Sequence, residues 1–220
     1  MYTIAVLNRK GGTGKTTIAT NLAAAAHLAK KRTLLVDLDR QGSALDWGAA
    51  RAEGSRLDGL SVVKADRPLP LARYREMSKG YGVVVLDAPG TLSEMTESAA
   101  AAADVVVIPL QPSAIDLWAS GTDGTMGAID KADRLRAELG RKPVRRLLVL
   151  NRVIPGTRLA REAPVVLAEL GLELAAPVHQ RIAFAEVFAT GESVLTLDAE
   201  GAAADEIRRL WRTVSARGVQ

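Results

Sequence analysis

Lys10 and Lys15 bracket Gly11, Gly12, Thr13 and Gly14, and Thr16 and Thr17 follow directly. Glycines at that density let successive backbone N–H groups turn toward an anion, and an ammonium closing the turn complements a phosphate. A hydroxyl just after the lysine is a hard oxygen ligand suited to Mg²⁺. The segment follows the apolar run Ile4–Leu7 and opens into Ile18–Ala26 with helical spacing. It therefore reads as strand, glycine loop and helix, with the positive end of the helix dipole aimed at the loop. In this reading residues 10–17 cradle a nucleotide's phosphates, Lys15 reaches the β- and γ-phosphates, and Thr16 ligates the metal.

The strict pattern G-x-x-x-x-G-K-[ST] is not met, because Arg9 stands at its first glycine. The stretch Lys10-Gly11-Gly12-Thr13-Gly14-Lys15-Thr16-Thr17 instead resembles the deviant Walker A loop of the ParA/MinD superfamily of ATPases. That resemblance implies ATP and Mg²⁺ as ligands. It also implies that Lys10 reaches across a dimer interface to the nucleotide held by the other subunit.

Three further strand ends carry polar groups where ligands of open α/β sheets sit, beyond the carboxyl ends of strands. The run Thr33–Leu38 brings Asp37 and Asp39, followed by Arg40-Gln41-Gly42-Ser43. It resembles the family's D-x-D-P-Q-x segment, with Arg40 at the proline position. The resemblance implies that Asp39 positions or polarises the attacking water and that Asp37 supports the loop and metal shell; either could instead cap a strand end. The run Val83–Leu86 ends in Asp87, as a Walker B strand does when its carboxylate holds Mg²⁺, and Pro89-Gly90 suits a switch segment. Leu147–Leu150 leads into Asn151, which either serves a turn or, by the resemblance, reads the adenine edge. Val178-His179-Gln180-Arg181 and Thr190–Val194 resemble a late segment of small ParA proteins. The first strand starts at once, as in the forms without an N-terminal helix-turn-helix domain.

Positioning these groups requires buried strands alternating with helices. Apolar runs recur at Thr3–Leu7, Thr33–Leu38, Leu60–Val63, Val83–Leu86, Val105–Leu110, Leu147–Leu150 and Ala175–Val178. Runs without polar alternation predict strands covered on both faces. Helical spacing covers Thr16–Ala29, Ser43–Ala52, Leu71–Lys79, Ser93–Ala103, Ala114–Leu139, Arg158–Leu170, Ala183–Thr190 and Ala202–Val214, with Pro164 expected to delay or kink its helix. The expectation is one α/β domain over 1–220 with a P-loop NTPase fold: a mostly parallel, twisted sheet with helices on both faces.

At 220 residues and 48% hydrophobic content the chain can bury one sizeable core. No window approaches the roughly 18 apolar residues of a membrane span, and no signal peptide is expected. The absence of cysteine fits a reducing cytosol and excludes thiolate metal sites. The net charge of +4 is too small to argue for nucleic acid by itself, but its distribution is uneven. Arg141, Lys142, Arg145, Arg146, Arg152, Arg158 and Arg161 form a stretch without acids. In the last helix Ile207, Leu210, Trp211 and Val214 share one face, and Arg208, Arg209 and Arg212 the other. That basic face, with Arg181, is either solvated or a contact for DNA phosphates; membrane docking as in MinD ranks last. His27 and His179 are expected to be structural, and Trp47, Trp118, Phe184 and Phe188 to be core.

The resemblance implies a cytoplasmic, nucleoid-associated ATPase that hydrolyses ATP slowly, dimerises on ATP and binds DNA without sequence preference. A ParB-like or other small adaptor would stimulate it, for plasmid or chromosome segregation. Alternatives are a positioning ATPase for a protein cargo, a membrane-associated MinD-like ATPase, or a dethiobiotin-synthetase-like ligase, for whose acceptor no residue set is visible. Relatives of the nitrogenase iron protein or arsenite pump need cysteines, and a tyrosine kinase of this fold needs a terminal tyrosine cluster; the chain has neither.

Overall fold

Strands whose side chains are apolar at every position must be covered on both sides, and the chain meets that demand with one parallel sheet. The computed structural model describes residues 1–68, 70–91, 93–112, 124–168 and 173–216. Its strands are β1 (Tyr2–Val6), β2 (Thr33–Asp37), β3 (Ser61–Lys64), β4 (Val83–Asp87), β5 (Val105–Leu110), β6 (Arg145–Leu150) and β7 (Glu173–Leu174). They pair in the order β3-β2-β4-β1-β5-β6-β7, every pair parallel.

Successive side chains point to opposite faces of a strand, and the core divides accordingly. Ile4, Val6, Val85, Val107 and Val149 face a cluster built with α1 (Lys15–Leu28), α2 (Ser43–Ala49), α7 (Ala183–Ala189), α8 (Val194–Leu197) and α9 (Ala202–Ser215). Ala5, Val84, Leu86, Ile108 and Leu148 face a second cluster with α3 (Leu71–Met77), α4 (Glu94–Ala102), α5 (Thr125–Glu138) and α6 (Arg158–Ala168). The small side chains Ala23, Ala24 and Ala26 of α1 are fully buried, which seats that helix close under the glycine loop it follows. Trp47 and Phe184 are buried in the first cluster and Phe188 packs against it, as expected. Trp118 lies outside the described residues, as do 114–123 of the helix expected over Ala114–Leu139.

Two expectations need correction. The last strand is not Ala175–Val178: regular pairing ends at Leu174, because Pro177 has no N–H to contribute. The chain nevertheless stays beside β6, with Ala175 N–H donating to Leu148 O and Val178 N–H to Leu150 O, both at 2.8 Å. The short helix α8 was not anticipated; Ser193 starts it through a capping box with Thr196. Pro164 lies inside α6, which already begins at Arg158, so the proline does not delay its start.

Candidate nucleotide-binding site

The parallel register places the chemistry at one edge of the sheet. Asp87 ends β4 opposite both Val6 of β1 and Asp37 of β2. The loop after β1, the D-x-D segment and the Asp87 switch segment therefore converge at the carboxyl ends of three adjacent strands.

The loop itself is held from several sides. Gly14 caps α1 in the left-handed region at φ 87°, and a Cβ there would lie 2.2 Å from Asn151 Nδ2. Both facts require glycine. Asn151 donates from Nδ2 to the Thr13 carbonyl at 2.7 Å. Its side chain is thus engaged with the glycine loop, and the left-handed position after β6 falls on the next residue, Arg152, at φ 55°. Gln111, just past β5, donates to the Gly12 carbonyl at 2.9 Å. Asn8 accepts from the Lys10 N–H at 3.0 Å and from the Thr125 hydroxyl, which in turn accepts from the Arg9 N–H.

Lys15 is buried, and its ammonium donates to the Lys10 carbonyl at 3.0 Å. Burial lowers its pKa, opposed by the charges of Asp87 and Asp39. Gly90 of the switch segment comes close enough that a Cβ would sit 3.3 Å from this ammonium. The structure thus brings Lys15, Asp87, Asp39 and the Pro89-Gly90 segment together.

The carboxylates differ in their surroundings. Each Asp37 oxygen accepts a backbone amide, Asp39 N–H at 3.0 Å and Leu45 N–H at 2.9 Å. Asp37 is thus the staple of the segment that presents Asp39. Asp39 accepts from the Gln41 N–H at 3.0 Å and borders a cleft of about 680 Å³ with Pro89, Gly90 and Thr91. Where the related pattern has proline, the Arg40 carbonyl is held by the Lys64 ammonium at 2.9 Å. Asp87 is 1% exposed, and neither of its oxygens has a hydrogen-bond partner. Burial pushes its carboxyl up to about 7, opposed by the nearby Thr16 hydroxyl, which does not meet the geometry of a hydrogen bond.

A buried carboxylate without partners is costly unless a cation or donor completes it, and the Thr16 hydroxyl supplies a second hard oxygen beside it. Among the described residues no group of three or more His, Cys, Asp or Glu side chains could hold a metal alone. The donor set fits a Mg²⁺ that would complete its coordination with phosphate oxygens and water.

Beyond Thr17 a second cleft of about 530 Å³ opens, lined among others by Asn151, Arg152, His179, Arg181 and Phe184. It borders Thr17, just past the phosphate loop, and its volume suffices for a nucleoside.

The basic residues are less available than their clustering suggests. Arg181 pairs with Glu206 at 2.7 Å, and Arg208 pairs with Asp205 at 2.7 Å and also reaches the Ala199 carbonyl. Arg145 is bound to Glu173, Arg146 to Asp130 and Asp133, and Arg158 to Glu162. These acids come from other elements or from just beyond the stretch, so Arg145, Arg146 and Arg158 are already paired. Arg209 and Arg212 remain exposed on α9.

Residues 4–194 match the profile of the CobQ/CobB/MinD/ParA nucleotide binding domain. The chain is 33% identical over 219 residues to the Maintenance of carboxysome distribution protein A of Halothiobacillus neapolitanus, covering 97% of this chain and 96% of that one. It is 35% identical over 245 residues to the chromosome-partitioning ATPase Soj of Thermus thermophilus, covering 97% and 95%. Among solved structures it superposes on an ATP complex of a Cyanothece McdA variant with a TM-score of 0.75 at 15% identity, over 98% of this chain and 95% of that one.

Proposed function

We propose, on the premise that the chain belongs to the CobQ/CobB/MinD/ParA family of nucleotide-binding proteins, that it is an ATP-hydrolysing positioning switch acting as one domain over 1–220. The observation that carries this is a buried Lys15 ammonium and, within reach of its charge, a buried Asp87 carboxylate whose oxygens have no hydrogen-bond partner, both at the glycine loop.

In this reading the amides of residues 11–16 and the Lys15 ammonium hold the β- and γ-phosphates. Thr16 and Asp87 would hold Mg²⁺, with Asp37 behind them, and the ion would supply neutralisation of charge on the phosphate oxygens. Asp39 orients a water for in-line attack on the γ-phosphate. A carboxylate is a weak base at neutral pH, so unstimulated turnover is slow. Lys10 of one protomer completes the charge around the other's γ-phosphate, which makes the ATP-bound form a homodimer. Asn151 combines its hold on the loop with a place in the nucleoside cleft.

The likeness to a carboxysome-distribution protein favours the positioning of a protein assembly over the DNA partition expected first. The likeness to Soj supports segregation of a chromosome or plasmid as the second reading. Either use fits a cytoplasmic protein that rides on non-specific DNA and answers to a small adaptor, ParB-like in the second case. No helix among the described residues is long and apolar enough to cross a membrane. Docking of α9 on lipid is disfavoured, because Ile207, Leu210 and Val214 are fully buried.

Titration calorimetry with Mg²⁺–ATP, followed by phosphate release with and without non-specific DNA, tests the proposal. Slow hydrolysis accelerated by DNA without any small acceptor is the expected result. A chain that binds no ATP at millimolar concentration overturns it.

A further inference from the structure

The helix α9 docks on the core through Ala203, Ala204, Ile207, Leu210 and Val214, each no more than 3% exposed. One member of that inward face breaks the pattern. Glu206 is an acid, 5% exposed, in a place where an apolar side chain would pack without the penalty of desolvating a charge.

Its carboxylate is fully used. Oε2 accepts the His179 backbone N–H at 3.0 Å, and Oε1 meets His179 Nδ1 at 2.8 Å and Arg181 Nη2 at 2.7 Å. Burial alone would raise the Glu206 pKa, but Arg181 and the His179 amide and ring outweigh it and hold the carboxyl below its ordinary value. On its other side the same segment is tied to the chain after β6: Val153 N–H donates to Val178 O at 3.1 Å, and Gln180 N–H to Val153 O at 3.0 Å. Residues 178–181 are thus gripped between Val153 and Glu206, and His179, Gln180 and Arg181 line the cleft that continues from Thr17.

We infer that Glu206 is a positioning residue for the nucleoside half of the ligand: its carboxylate fixes the His179–Arg181 wall and so sets how tightly the base and sugar are held. The inference rests on the nucleotide reading above and adds to it a determinant on the last described helix, remote in sequence from the phosphate loop.

A merely structural role would weaken every ligand alike, so the test compares ATP with inorganic tripolyphosphate, which shares the phosphates and lacks the nucleoside. In calorimetric titrations with Mg²⁺, Glu206→Gln is expected to weaken ATP binding about tenfold while tripolyphosphate affinity changes less than about twofold. Arg181→Met, made at the half-exposed end of the same cluster, is expected to shift the ratio in the same direction; it carries the test should Glu206→Gln fail to fold. A wild-type ratio of the two affinities in the variants, or an equal loss of both ligands, overturns the inference and leaves the nucleotide reading standing. A wild-type chain that binds neither ligand overturns both.

Discussion

Asn151, at the end of β6, donates its side-chain amide to the carbonyl of Thr13 at 2.7 Å, and both residues are buried. The bond joins the phosphate loop to a strand that lies on the far side of β5. Replacing Asn151 with Ala leaves a buried carbonyl unsatisfied, which costs roughly 1–3 kcal/mol. Urea unfolding of the nucleotide-free chain should show that loss as a lower midpoint with unchanged slope. An unshifted midpoint would mean that water replaces the amide without penalty.

Lys15 and Lys10 should separate in their effects. Lys15→Ala removes the ammonium inside the loop and is expected to abolish ATP binding in calorimetry; ATP binding at wild-type affinity would refute its place at the phosphates. Lys10→Ala is expected to bind ATP but lose ATP-dependent dimerisation and stimulated hydrolysis. Light scattering that still reports an ATP-dependent dimer would contradict the cross-subunit role.

Asp87 gives a dependence on pH. Burial lifts its carboxyl from 3.8 to about 7, so between those values the folded chain keeps a proton that the unfolded chain has released. Stability therefore falls as pH rises through that window, with a limiting slope of about 1.4 kcal/mol per pH unit, and levels off above it. In chelator-treated protein without nucleotide, Asp87→Asn should remove this contribution, so the variant gains on the wild type as the pH rises from about 5 to about 8. It should also lose Mg²⁺-dependent ATP binding. A difference in stability that is the same at both pH values would place the carboxylate in contact with solvent.

On α9 the exposed pair Arg209 and Arg212 is the part of the basic face not tied to an acid by a salt bridge among the described residues. The double change to Glu is expected to weaken binding of non-specific DNA and to flatten its salt dependence by about one unit of slope per lost phosphate contact. ATP binding should stay intact. An unaltered slope of log affinity against log salt would move the DNA surface off this helix.

The glycine loop, its strand and helix, and the carboxylates at Asp37, Asp39 and Asp87 were legible because each is a local pattern. Residue type, spacing and position after an apolar run suffice to place them. Long-range partners were not legible. Arg145 and Arg146 read as members of an acid-free stretch, yet Glu173, Asp130 and Asp133 reach them through the packing of β7 and α5. Gln111 follows β5 just as Asn151 follows β6; Asn151 stood out through its family resemblance, whereas position beyond a strand's carboxyl end is the signal that could have found Gln111. For Thr125 and Glu206 no comparable local signal exists: one opens a helix in an ordinary way, and the other looks like a solvated acid beside arginines. The short β7 went astray because Pro177 interrupts a run whose remaining members suit a strand.

The Lys15 ammonium rests on the carbonyl of Lys10, so the two ends of the glycine loop are tied to each other by the side chain of the second lysine. An anion that drew Lys15 off this carbonyl would leave the Lys10 peptide held by the Asn8 side chain and the Thr13 hydroxyl. In the proposed dimer, the loop that would take up one protomer's triphosphate is therefore also the base from which Lys10 would reach its twin.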